Sequence, residues 1–353
     1  MQRAAELLED FEREEGDLSL VIVAIIKKTV SSNAVASDAF DRRDFDCGII
    51  IRLASVMSEK VVASRNVKVT DFHRGHDSIR VVRMKQSGVG SEKIIRRKRD
   101  GELEYLPDDL TVEEPLEIRV GNQVVATTMR TPGHDEELAA GFLLSEAILR
   151  DRGDIQKISI GSENRIDVDL AAGMKPELKS AQRFGTISSS CGICGKDSIE
   201  AIRQKFPAIA ATDFRIDLEL LLSLPDRLRQ EQGDFARTGG IHAAGVFDSS
   251  GQARIVREDI GRHNAVDKAI GRALLDRLVP LDRHILLVSG RLSFEIVQKA
   301  LAAGLPIVAA VSAPSTLAVS IARESNQTLI AFLRPPSFNI YSHIERIVLN
   351  QAP

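Results

Sequence analysis

Residues 284–337 read HILLVSGRLSFEIVQKALAAGLPIVAAVSAPSTLAVSIARESNQTLIAFLRPPS, and this stretch decides the fold. Three short runs rich in Val, Ile, Leu and Ala (His284–Val288, Pro306–Val311 and Thr328–Leu333) alternate with two amphipathic segments, Ser293–Ala303 and Ser315–Glu324. Short apolar runs suit strands buried on both faces, and the segments between them suit crossover helices. The alternation predicts an α/β layer with parallel strands covered on both sides. A helix over about Asn264–Leu278 and strand-like runs at Ile241–Phe247 and Ala253–Val256 extend the same layer upstream.

Further toward the N-terminus the pattern changes. Leu116–Val120 and Gln123–Met129 flank Gly121-Asn122, a pair suited to a tight hairpin turn. After Thr131-Pro132-Gly133, the acidic Asp135, Glu136 and Glu137 favour the positive end of a helix whose apolar face holds Leu138, Ala139, Phe142 and Leu143. Ile155–Ile160 and Arg165–Leu170 read as a second hairpin. The expected organisation is an N-terminal extension of unassigned role over residues 1–100, for which poor order is one expectation, then a small α+β domain (101–180), a mobile CxxC loop (181–196) and an α/β domain with a ligand crevice (197–353). The basic cluster Lys93, Arg96, Arg97, Lys98 and Arg99 reads as a solvated linker.

Composition narrows the function classes. The chain has 353 residues, 43% hydrophobic, enough to bury a sizeable core. A net charge of -3 gathers no nucleic acid by itself, and with no Trp and two Tyr there is little material for base-stacking platforms. The acidic start lacks the features of a secretory signal, and Val21–Ile26 is too short to span a bilayer, so a cytoplasmic location without membrane attachment is expected. Cys47, Cys191 and Cys194 are too few for a disulfide framework.

Cys191 and Cys194 lie in SSSCGICGKDS, a Ser- and Gly-rich loop running into a helix expected to start near Asp197 or Ser198. Structural zinc needs four ligands and a second pair is missing, so no metal is expected here. A thioredoxin-like site would follow a buried strand directly, whereas Thr186–Ser190 is polar. A sulfur carrier needs a thiolate that travels between donor and acceptor. Gly192 and Gly195 would permit such movement, while Lys196, Arg183 and the following helix N-terminus would favour the thiolate. Cys191 lies farther from that helix and should be the more mobile, so it is the expected persulfide residue, with Cys194 assisting or resolving.

In open α/β sheets, ligands gather beyond the carboxyl ends of the strands. The loops there carry Ser289 and Arg291, Ser312, Ser315 and Thr316, and Arg334, Pro335, Pro336 and Ser337. Hydroxyls, arginines and two helix N-termini together suggest a nucleotide or pyrophosphate site. His263, in the polar segment REDIGRHN, could act as an acid but is more often a hydrogen-bonding residue in such a setting. RTGGIHAAGVF is reminiscent of zinc nucleoside deaminases, but Ala244 stands where their chemistry needs glutamate and the CxxC lies upstream, which excludes that reaction.

From about Leu106 to the end, the motifs TPGHDEELAAGFLLSEAI, SSCGICG, TGGIHAAG, REDIGRHNAVDKAIG, VSGRLSFEIVQKA, AVSAPSTLAV and AFLRPPS resemble, in order, those of the formate dehydrogenase accessory sulfurtransferase family (FdhD/NarQ). The resemblance implies a cytidine-deaminase-like α/β core with a smaller α+β N-terminal domain, and a homodimer. It implies that sulfur is received from a cysteine desulfurase and passed to the molybdenum or tungsten bis(guanine dinucleotide) cofactor, which is needed by the client formate dehydrogenase. The family's persulfide cysteine falls on Cys191 and its partner on Cys194. The cofactor-contacting stretch falls on Phe332, Leu333, Arg334, Pro335, Pro336 and Ser337, with Pro336 and Ser337 where the family carries Gly and Arg. Two other readings stay open: a non-catalytic chaperone that escorts the cofactor, and a dithiol oxidoreductase.

Overall fold

A computed structural model describes residues 67–74, 77–84, 88–161, 164–174 and 206–349. The chain divides into two compact units, Met1–Ser87 and Gly88–Pro353. In the first, strands β1 (Val67–Arg74) and β2 (Asp77–Met84) form an antiparallel hairpin. The rest of the N-terminal extension, and the expected helix near Asp197, lie outside the described residues.

The second unit opens with an antiparallel ribbon of β3 (Val89–Arg97) and β4 (Leu103–Thr111). The cluster expected to be a linker therefore lies largely in a strand. Its charges face solvent and pair across the ribbon, Arg96 with Asp108 at 3.6 Å and Lys98 with Glu102 at 3.1 Å.

Next come β5 (Glu114–Val120) and β6 (Gln123–Arg130), joined through Gly121 (φ 52°) and Asn122 (φ 66°). Two successive left-handed residues match the twist of a two-residue hairpin, and only such residue types adopt them readily. Helix α1 (Asp135–Ser145) follows, its start held by the buried Arg130, which donates to both carboxylate oxygens of Asp135 at 3.0 Å. Strands β7 (Ile155–Ile160) and β8 (Arg165–Leu170) complete a sheet ordered β6-β5-β8-β7. Leu116, Ile118, Ile166 and Val168 from the sheet and Leu138, Leu143 and Leu144 from α1 form its core.

The larger part begins with β9 (Ile216–Asp217), α2 (Leu218–Gln230) and α3 (Gly233–Thr238). It continues with β10 (His242–Phe247), β11 (Ala253–Asp259), α4 (Arg262–Leu275), β12 (Ile285–Val288), α5 (Phe294–Ala302), β13 (Ile307–Ala310) and α6 (Thr316–Glu324). Strands β14 (Thr328–Arg334), β15 (Ser337–Ser342) and β16 (Ile347–Val348) close the chain, the last pairing with β9. The main sheet is ordered β11-β10-β12-β13-β14-β15.

Alternate residues of its central strands feed two cores, as a strand period of two requires. Leu286, Val288, Val308, Ala310 and Leu329 pack under α4, α5 and α6, whereas Leu287, Ile307, Ala309 and Ile330 meet Leu221, Leu224 and Leu228 of α2. This is the expected deaminase-like α/β core, with one correction. Among the described strands of this sheet, β12, β13 and β14 run parallel, while β10, β11 and β15 are antiparallel. Strand β15 was not foreseen: the expected loop Arg334–Ser337 is a hairpin, turning at the cis bond Pro335-Pro336.

Helix α4 lies between the two parts and is buried on nearly every side. It meets α1 at two glycines. A Cβ on Gly271 would sit 1.8 Å from the Glu137 carbonyl oxygen, and one on Gly141 would sit 1.9 Å from that of Asp267, so the backbones touch. A helix buried all round must satisfy each polar side chain internally. Lys268 reaches Asp259 Oδ2 at 2.7 Å and the Thr131 carbonyl at 2.8 Å. Asp267 accepts from Lys299 of α5 at 2.8 Å on both oxygens and from Ser145 of α1 at 3.2 Å.

Candidate functional site

Parallel strands β12, β13 and β14 present their carboxyl ends on one edge, and the backbone ties the loops beyond them together. The Val311 amide donates to the Val288 carbonyl at 3.1 Å, Leu292 to Ala313 at 3.0 Å, Ser315 to Leu292 at 2.9 Å and Phe332 to Ser312 at 3.0 Å. Arg334 Nε donates to the Val311 carbonyl at 3.0 Å. The segments around Ser289–Arg291, Ser312–Thr316 and Phe332–Ser337 therefore form one surface, as their placement after successive strands predicts.

Within that surface the expected residues differ in what they can offer. Arg291, Ser315, Thr316, Phe332, Arg334, Pro335, Pro336 and Ser337 are exposed. Leu333 is not: its side chain is fully buried in the core against α2, because it falls on the inward face of β14. Ser289 Oγ accepts the Ala243 amide at 2.9 Å, and Ser315 Oγ caps α6 by accepting the Ala318 amide at 3.2 Å. Ser337 donates to the Arg334 carbonyl at 3.2 Å. Phe332 has φ 53° in a strand irregularity, a left-handed conformation unusual for a bulky residue, and the residue is 38% exposed.

Two residues of this edge escaped the sequence reading. His242 starts β10, which is antiparallel to β12, so the start of one strand lies beside the end of the other. Reading β10 as a parallel strand would place His242 at the opposite edge. Arg262 is the first residue of α4, beneath the same loop. A Cβ on Gly290 would lie 3.3 Å from Arg262 Cβ and 3.4 Å from His242 Nδ1. Burial and the nearby Arg262, Arg291 and His263 push the His242 imidazole below its ordinary value. Beside them, His263 Nε2 lies 2.7 Å from Glu295 Oε2 and 3.0 Å from Ser293 Oγ. Burial of Glu295 opposes its ionisation, but the His263 hydrogen bond and nearby cations hold its carboxyl below the ordinary range.

Cys191 and Cys194 lie outside the described residues. Among the described residues, no group of three or more His, Cys, Asp or Glu side chains is placed to hold a metal ion. No described helix is long and apolar enough to cross a membrane.

Fold and site define an α/β protein with a deaminase-like core and an edge bearing exposed arginines and hydroxyls at the carboxyl ends of its parallel strands. The chain belongs to the FdhD/NarQ family, whose model matches residues 111–348. It is 47% identical over 275 residues to a protein of Streptomyces coelicolor named sulfur carrier protein FdhD, covering 75% of this chain and 98% of that one. Proteins of the same name from Mycolicibacterium paratuberculosis (49% over 270 residues, 73% and 99% of the two chains) and Sulfurisphaera tokodaii (43% over 251 residues, 70% and 95%) also match. Among solved structures, a candidate formate dehydrogenase accessory protein from Desulfotalea psychrophila superposes with a TM-score of 0.60 at 25% identity, covering 74% of this chain and all of that one.

Proposed function

We propose that this protein is a sulfurtransferase that carries sulfur as a persulfide on Cys191 and delivers it to a molybdenum or tungsten bis(guanine dinucleotide) cofactor held at the strand-end edge, in support of a formate dehydrogenase. The observation that carries this reading is the convergence of three loops on an edge that exposes Arg291 and Arg334, in a chain so similar to proteins named sulfur carriers. A nucleotide's phosphates suit arginines and helix N-termini.

In the loading step, the Cys191 thiolate attacks the outer sulfur of a persulfide on a cysteine desulfurase. The donor's S–S bond breaks, its cysteine leaves as a thiolate, and Cys191 holds the sulfur without net electron change. In release, the Cys194 thiolate attacks Cys191 Sγ and expels hydrosulfide toward the acceptor. The resulting Cys191–Cys194 disulfide is reduced by an external dithiol.

Incubation with a cysteine desulfurase and cysteine is expected to add the mass of one sulfur atom to the intact protein, and Cys191→Ala to abolish that addition. If a Cys191→Ala, Cys194→Ala double variant still restored formate dehydrogenase activity to cells lacking the wild type, the protein would be an escort for the cofactor instead. Reversible disulfide turnover with no persulfide would make it a dithiol oxidoreductase.

A further inference from the structure

The ribbon of β3 and β4 carries its side chains in two sets, because alternate residues of a strand point to opposite faces. One face is balanced in charge: Arg96 lies 3.6 Å from Asp108, and Lys98 lies 3.1 Å from Glu102 and 3.9 Å from Glu104. The other face sets Lys93 opposite Pro107, Ile95 opposite Tyr105 and Arg97 opposite Leu103. The carboxylate that the two strands place on that face belongs to Asp109, and Arg237 already holds it at 2.8 Å. Lys93 and Arg97 have no acidic partner among the described residues.

The apolar side chains between these cations are unusually open to solvent. Tyr105 is 78% exposed, Ile95 59% and Leu103 57%. A cross-strand pair such as Ile95 and Tyr105 steadies a ribbon by about 0.2–1 kcal/mol, which accounts for their facing each other but leaves most of both residues in water. Neither strand has a second neighbour among the described residues, so β3 also presents a free edge of backbone donors and acceptors. An apolar centre flanked by two unbalanced cations, beside an open strand edge, is the combination that an added peptide strand recognises.

We propose that β3 takes up an extended acidic segment of another protein as a third strand of the ribbon. Directly opposed side chains of neighbouring strands lie about 5 Å apart, so the segment that fits reads acid-x-apolar-x-acid, its acids beside Lys93 and Arg97 and its apolar residue beside Ile95. The pattern is the same in both directions and serves parallel or antiparallel addition. A lipid surface fits less well, because hydrocarbon satisfies none of the free N–H and C=O groups along the edge. A second copy also fits less well, since two β3 strands meeting across a two-fold axis would set Lys93, Arg96 and Arg97 against their own equivalents. The docking edge goes beyond the sulfur transfer proposed above and stands without it.

Selection of random displayed peptides on the immobilised full chain tests this. The enriched sequences are expected to carry acid-x-apolar-x-acid, and a synthetic peptide of that sequence to bind less tightly as salt rises. In calorimetry, Lys93→Glu with Arg97→Glu, and separately Tyr105→Ser, are each expected to weaken that peptide about tenfold or more. Carried through the same selection, the charge-reversed variant is expected to enrich basic residues in place of acidic ones, a change of preference that mere fraying of the ribbon would not produce. Enriched peptides without an acidic preference, or a peptide that binds the charge-reversed variant as tightly as the wild type, overturn the proposal. So does binding of the wild type but not Tyr105→Ser to phosphatidylserine vesicles, which would assign the face to a membrane. A fall from dimer to monomer in light scattering on Tyr105→Ser would assign it to a second copy and overturn it equally.

Discussion

Glu137 shows how one side chain holds the two layers of the second unit together. It sits in the first turn of α1, yet its carboxylate meets Arg257 of β11 and, at 3.3 Å, His134. Burial alone would raise its carboxyl, but the Arg257 hydrogen bonds and the His134 contact outweigh burial and lower it from 4.5 to about 2. A depressed carboxylate stabilises the fold fully above its unfolded value, and the contribution is lost as pH falls through the folded one. The relevant window runs from 4.5 down to about 2, and at neutral pH the contribution is about 3 kcal/mol at most. Glu137→Gln is therefore expected to lower the melting temperature at neutral pH and to lose stability less steeply than the wild type through that window; parallel acid profiles would refute the assignment. None of this was legible in the sequence. The acidic triplet Asp135, Glu136 and Glu137 predicted a helix start correctly, but the dipole argument could not tell which of the three finds an arginine more than a hundred residues away.

At the level of elements, the contact between α1 and α4 sets two opposing effects against each other. Replacing a helical glycine by alanine favours the helix by about 1 kcal/mol. At Gly271, the new methyl would overlap the Glu137 carbonyl, a collision that no side-chain rotation relieves. Overpacking in a tight core costs about 1–3 kcal/mol and more where backbone must move, so the collision wins. Gly271→Ala is expected to destabilise the protein by about 3 kcal/mol or more, measured by denaturant unfolding; a variant more stable than wild type would show that the helices slide apart freely. The elements with clear periodicity were read well from sequence: β5, β6, β7, β8, β12, β13 and β14, and helices α1, α5 and α6. Those missed have identifiable causes. Pro225 interrupts the Leu221, Leu224, Leu228 face of α2. Strand β15 follows two consecutive prolines that suggest a stop, and β3 carries so many charges that it resembles a linker. The candidate site was half legible. Loops after strands could be listed in order, but His242 and Arg262 required knowing that β10 runs against its neighbour.

Across the whole second unit, the two layers are joined by buried charge as well as by close helices. Asp267 of α4, Lys299 of α5 and Ser145 of α1 meet in the interior, where burial pushes the Asp267 carboxyl up and Lys299 and Ser145 act against that shift. Removing one member of such a pair leaves an uncompensated charge, at a cost of about 3–5 kcal/mol, whereas removing both costs much less. Lys299→Met is expected to unfold at markedly lower denaturant concentration, and Asp267→Asn with Lys299→Met to recover most of the loss; additive effects in that double-mutant cycle would mean that the pair is not coupled. The glycine crossing has a further consequence for anyone recombining this protein with a relative. Because Gly141 and Gly271 each meet bare backbone opposite, a chimera that takes its α+β part from one parent and its α/β part from another should assemble only where the first supplies glycine at the position of Gly141 and the second at that of Gly271. Compatibility between halves can thus be screened from two letters of sequence before any gene is built.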